Sequence, residues 1–140
     1  MRPLSDVTIN VRFKLMALWT SVMFCYIYAD YFDLYTKGSI QQLVRGQMGP
    51  LGPATPGVLV GASVLLAIPS VMIFLSLVFP PNVARWLSLV VGTLYTLVNC
   101  TNFLSSRPFY VFYGVVEVVL TLLVVWYAWR WPTSSATTDR

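Results

Sequence analysis

The chain has 140 residues, 57% of them hydrophobic and only 10% charged, and a net charge of +4. Soluble domains carry about 25% charged residues, and a soluble fold this short leaves too much surface exposed to hide so many apolar side chains. Composition therefore argues against a soluble enzyme and for an integral membrane protein whose main partner is the lipid bilayer.

The nine Lys and Arg are scattered at segment ends and in loops, with no basic run. They read as topology signals and headgroup contacts, not as a nucleic-acid interface. Histidine is absent, which removes His-ligated haem, His metal sites and His bases, so no cofactor and no metal is expected. Cys25 and Cys100 lie far apart without a C-x-x-C pair, and both read as small buried apolar residues.

In chain order, residues 7–14 alternate apolar and polar. A lone strand has no partner there, so the segment is predicted to be a short interfacial lead-in. The first span covers residues 13–35. Its apolar part is too long for a cleaved signal peptide, and no small-residue cleavage site follows it. It carries Tyr26, Asp30 and Asp33 at steps of four and three.

Residues 36–55 form a long outer loop, whose Gly-Pro-rich part from Gly49 onward cannot be a regular helix. Such a loop is a lid or, more commonly, a plain connector. The second span, 56–79, opens with a Gly57-x-x-x-Gly61 pattern that permits close helix approach. Pro69 at its middle predicts a kink and a freed carbonyl, satisfied by Ser70 or by water.

Pro80-Pro81 ends the second span, and Asn82 is the expected cap of the third, 83–104. Arg85, Ser88, Gly92, Tyr95, Asn99 and Asn102 follow there at steps of three and four, which makes one helical face. Ser105 and Ser106 precede Pro108, which suits the first turn of the fourth span, 108–131. The short connections 80–82 and 105–107 make the second and third spans, and the third and fourth, antiparallel neighbours. A polar tail, 132–140, follows.

The fold class is thus all-α, a single transmembrane domain built as a four-helix bundle. An even number of spans puts both termini on one side, with Arg2, Arg12, Lys14, Arg85, Arg130 and Arg140. The other side holds Lys37, Arg45 and Arg107, so the positive-inside rule places both termini in the cytoplasm. Trp86, Trp126, Trp129 and Trp131 then mark the cytoplasmic interface, and Tyr31, Tyr35 and Tyr110 the outer one.

An ionisable residue near a helix centre costs about 2.5–3.5 kcal/mol on insertion scales, so it needs a reason to be there. Glu117 lies nine residues into the fourth span, roughly 13 Å deep at about 1.5 Å per residue. Tyr110, Tyr113, Gly114 and Thr121 share its face. Turned inward, the three polar faces place Asp30, Asp33, Asn99, Asn102, Glu117, Tyr26, Tyr95 and Tyr113 in the outer half of the bundle, with Arg107 at the mouth to pair with an aspartate.

Two readings of Glu117 are open. In one, a neutral carboxyl bonded to Tyr113 or Asn99 holds the helices together. In the other it carries a proton or binds a cation. The tyrosines are either a quinone-like pocket or interface anchors, the commoner role.

The run from Leu18-Trp19 to Ala29-Asp30, the segment around Ala67-Ile68-Pro69-Ser70, and the closing Tyr113-Gly114-Val115-Val116-Glu117 to Trp126-Tyr127-Ala128-Trp129 resemble a family of uncharacterised small bacterial membrane proteins. The resemblance spans residues 11–132 and implies four helices, a bacterial inner membrane and no assigned activity. A looser, topology-level likeness links the chain to DoxX-like membrane proteins. Small multidrug transporters are similar in size and also carry one membrane Glu, but theirs lies in the first helix.

The expected function is a polar pocket in the outer half that binds or transports a small solute, cation or lipid-like ligand, with transport as a homo-oligomer as one form. The alternative is an accessory or structural membrane protein whose polar core only specifies packing. An enzyme is the least favoured reading, because no nucleophile–base pair is apparent.

Overall fold

A computed structural model describes residues 8–105 and 107–132. The readings of Arg2, Ser106, Arg140 and most of the tail fall outside those residues. Four long helices carry the fold: α1 (Val11–Asp33), α3 (Pro56–Val78), α4 (Pro81–Cys100) and α5 (Pro108–Trp129), with a short α2 (Ser39–Val44) between the first two. All four long helices are long and apolar enough to cross a membrane, α4 together with the turn that extends it to Leu104. At 22–24 residues each, they reach about 33–36 Å, against a hydrocarbon core of about 30 Å.

Local chemistry explains the boundaries. α1 begins at Val11 because the Asn10 side chain accepts from the Arg12 amide at 3.0 Å, an N-cap that draws residues 11–14 into the helix. The predicted interfacial lead-in is thus confined to the residues before it. Thr55 caps α3 through the Val58 amide, with Pro56 at the first position. Asn82 does not cap α4. Pro81 takes the first helical position, where its missing N–H is no loss, and Asn82 falls inside the first turn. A 3-10 turn, Thr101–Leu104, continues α4, and Pro108 opens α5.

The helices run alternately up and down. α5 packs between α1 and α4, α1 also packs on α3, and the α3–α4 seam is the loosest of the ring. The start of α1, the turn at residues 79–80 and the end of α5 lie at one end, here called proximal. The loops 34–55 and 101–107 lie at the distal end.

The proximal half has an apolar core of Leu15, Trp19, Met72, Leu89, Val124 and Ala128. Two arginines tie this end together. The Arg12 guanidinium donates to the Leu77 and Phe79 carbonyls at 2.5 and 2.8 Å, and Arg85 donates to the Ala128 and Trp129 carbonyls at 3.2 and 3.5 Å. Each thus fills the open carbonyls at the end of a neighbouring helix, where the helix dipole favours a cation. From the sequence alone both read as headgroup contacts and topology signals.

α3 buries side chains only in its proximal half. None of residues 56–68 is buried, whereas Pro69, Met72 and Ser76 are. Gly57 and Gly61 face open space, so the G-x-x-x-G pattern makes no close approach within the described chain. The cysteines are unpaired, Cys25 half-buried and Cys100 exposed. The expectation that both are buried fails, because their helix faces point away from the core.

The distal loop is structured. Ser39, at the start of α2, is buried, and its hydroxyl donates to the Asp33 carboxylate at 3.3 Å. The Gly-Pro-rich part holds a 3-10 turn, Gly49–Leu51, and an isolated bridge between Gln47 and Pro53.

Candidate functional site

The predicted α4 face does turn inward: Ser88, Gly92, Tyr95 and Asn99 are buried. The matching face of α5 buries Gly114, Glu117 and Thr121. Glycine sets the distance between the two helices. A Cβ on Gly114 would stand 2.8 Å from the Asn102 Cβ, and one on Gly92 would stand 3.0 Å from Val125.

That close approach brings the Asn102 amide to Glu117, donating to Oε2 at 3.0 Å. From the sequence, Tyr113 or Asn99 is the expected partner. Asn102 takes it because Gly114, one turn before Glu117, offers no side chain to keep Asn102 away. Glu117 itself is 1% exposed. No Lys or Arg forms an ion pair with it among the described residues.

Asn99 serves α1 instead. The Tyr26 hydroxyl donates to its Oδ1 at 2.8 Å, while its Nδ2, fully buried, has no partner. Flipping the amide would not cure this, since Oδ1 would then be the orphan. One turn further in, Thr96 donates to the Thr121 hydroxyl at 2.9 Å, and Thr121 donates to the Glu117 carbonyl at 2.8 Å.

Toward the distal end the polar residues become wetter. Asp30 is exposed beside the Tyr110 hydroxyl. Arg107 forms an ion pair with Asp33, both partly exposed. Glu117 and Asn99 are thus buried with the half-buried Asn102 and Tyr26 against them, and Asp30, Asp33 and Arg107 lie between this cluster and the distal surface.

Two predicted members stand apart. Tyr113 stacks on Phe32 with ring centroids 6.4 Å apart. Tyr95 is buried, but its hydroxyl donates to the Leu65 carbonyl of α3. That carbonyl is the one freed by Pro69. Ser70, the expected partner, donates to the Leu66 carbonyl instead, at 3.2 Å.

The carboxylates do not gather into a metal-ligating group of three among the described residues. Two surface depressions lie elsewhere. One of about 320 Å³ is lined by Asn10, Arg12, Pro81 and Trp131 at the proximal end. The other is an apolar groove of about 520 Å³ along Trp86, Val90, Leu94 and Trp129.

No curated protein and no solved structure matches the chain. The DoxX-like resemblance finds no counterpart among the matches. A sequence profile described as a family of unknown function, DUF6326, matches residues 6–138, nearly the whole chain, and the protein belongs to that family.

Proposed function

We propose that this is a four-span protein of a bacterial inner membrane, both termini cytoplasmic, and that Glu117 is the charged core of a site approached from the outer, distal face. The site takes a proton or a small cationic or amphiphilic solute. The carrying observation is the buried Glu117 carboxyl, which has one neutral hydrogen-bond donor, Asn102, and no cation partner among the described residues. An ionised carboxylate in that position is expensive, so it needs a proton or a bound cation. Asp30, Tyr110 and the Asp33–Arg107 pair supply polar groups on the way out.

The test is proton uptake by proteoliposomes, read with a pH-sensitive dye trapped inside. Wild-type protein is expected to respond to an imposed proton gradient. Glu117→Gln should lose that response while keeping its helicity and thermal transition. Equal responses from the two proteins would refute the reading.

One observation favours a second reading, an accessory protein whose polar core only specifies packing. The pairs Asn102–Glu117 and Tyr26–Asn99 lace α1, α4 and α5 together. That reading expects Glu117→Gln to alter stability alone.

Orientation is tested separately with single cysteines in a background free of Cys25 and Cys100. A membrane-impermeant maleimide should label Gln42→Cys from outside and Thr8→Cys only after the membrane is opened. Labelling of both from one side is incompatible with the four-span topology.

A further inference from the structure

Hydroxyls on these helices follow a habit. Thr20, Ser21, Ser63, Ser70, Ser76 and Thr121 each donate to a carbonyl four residues back. This is the usual resting place of a serine or threonine hydroxyl in an apolar helix. Ser88 departs from it. Its Oγ is buried in the proximal core and has no partner.

Trp19 shows the same anomaly from the other side. Its side chain is fully buried, and the indole Nε1–H, a donor only, has no acceptor. Polar atoms in an interior are almost always paired, with protein or with ordered water.

The two orphans belong together. α1 and α4 run in the same direction, and Trp19 is eight residues from the start of α1, Ser88 seven from the start of α4. Both therefore lie about 11 Å from the proximal end at about 1.5 Å per residue. Tyr95 connects them. The Tyr95 ring meets the Trp19 ring edge-on at 6.2 Å, and Ser88 is two turns before Tyr95 on the same face of α4. A helical side chain leans toward the N-terminus of its helix, which carries the Tyr95 ring back toward the level of Trp19 and Ser88. Leu89, beside Ser88, packs in the same core cluster as Trp19.

We propose that Trp19 and Ser88 together hold a water molecule on the bundle axis, on the proximal side of Tyr95. The water accepts from the indole N–H and exchanges a hydrogen bond with the Ser88 hydroxyl. The buried Ala84 carbonyl, four residues before Ser88, offers a lone pair as the third partner. Two to four such partners are what a buried water needs. The other unpaired donor on this face of α4, Asn99 Nδ2, lies on the distal side of Tyr95.

The test is magnetisation transfer from water to indole protons, by NMR on ¹⁵N-labelled protein in lipid nanodiscs. Loss of one resonance in Trp19→Phe identifies the Trp19 indole. In the wild type that resonance should receive magnetisation from water, and Ser88→Ala should lose the transfer. Glu117→Gln should leave it in place, which separates this site from the reading of Glu117. A Trp19 indole without transfer in the wild type overturns the site, and that spectrum decides alone if Ser88→Ala fails to fold. Transfer that persists in a folded Ser88→Ala overturns the role of Ser88 and with it the proposal.

Discussion

The Tyr95 hydroxyl on α4 donates to the Leu65 carbonyl on α3, the acceptor that Pro69 leaves without its helical partner. A proline in a membrane helix is tolerated when a neighbour satisfies the freed group. Here that neighbour comes from the loosest seam of the bundle, and it is the point beyond which α3 leaves the core.

A double-mutant cycle follows from this. Tyr95→Phe should lower stability by about 1–2 kcal/mol, the cost of an unsatisfied polar group. Pro69→Ala restores an N–H for Leu65, so Tyr95→Phe in that background should cost clearly less. Unfolding in mixed detergent measures both. Equal losses in the two backgrounds would show that the Leu65 carbonyl is not what Tyr95 serves.

Glycine spacing gives a second prediction with an internal control. Gly114→Ala should push Asn102 away from Glu117 and destabilise the protein by about 1–3 kcal/mol, as overpacking does. Gly92→Ala meets the γ-methyls of Val124 and Val125 at 3.0–3.1 Å, a milder overlap than the 2.8 Å at Gly114, and should cost less. Gly61→Ala, in open space, should be neutral or slightly stabilising. Thermal unfolding of the three variants should rank them in that order.

These two cases also show how much of the fold is legible in the sequence. The spans were legible because apolar runs of that length have little else to do, and Pro108 announced its helix start. The inward face of α4 was legible because Ser88, Gly92, Tyr95 and Asn99 repeat at helical spacing. Which residue meets Glu117 was not, since it depends on how closely α4 and α5 approach at Gly114. The partner of the Pro69 carbonyl was hidden for the same kind of reason: it requires the rotation of α4 relative to α3. The roles of Arg12 and Arg85 were missed because a cation near a helix end fits both a headgroup and a neighbouring helix terminus.

The arginine caps can be told from mere topology signals. Arg12→Ala should destabilise by about 1.5–3 kcal/mol, the range for hydrogen bonds from charged donors. Arg12→Lys should recover only part of this, because both bonds come from Nη1 at the tip of the guanidinium, one bond further from the backbone than the lysine ammonium reaches. A pure topology signal would be served equally by Lys. Stability of the two variants, with insertion orientation checked by labelling, decides between them.

The Asp33–Arg107 pair should behave differently from those caps, although it too joins two helices. Its side chains are 26% and 31% exposed, so solvent and salt screen it, and pairs of this kind contribute about 0–1 kcal/mol. A cycle of Asp33→Asn, Arg107→Gln and the double variant should give a coupling below about 1 kcal/mol that shrinks further in high salt. The pair tethers the distal end of α1 to the start of α5, above the buried Asn102–Glu117 contact. A coupling that is large and insensitive to salt would mean that the mouth is closed to water, and Glu117 would then lack the outer approach proposed for it.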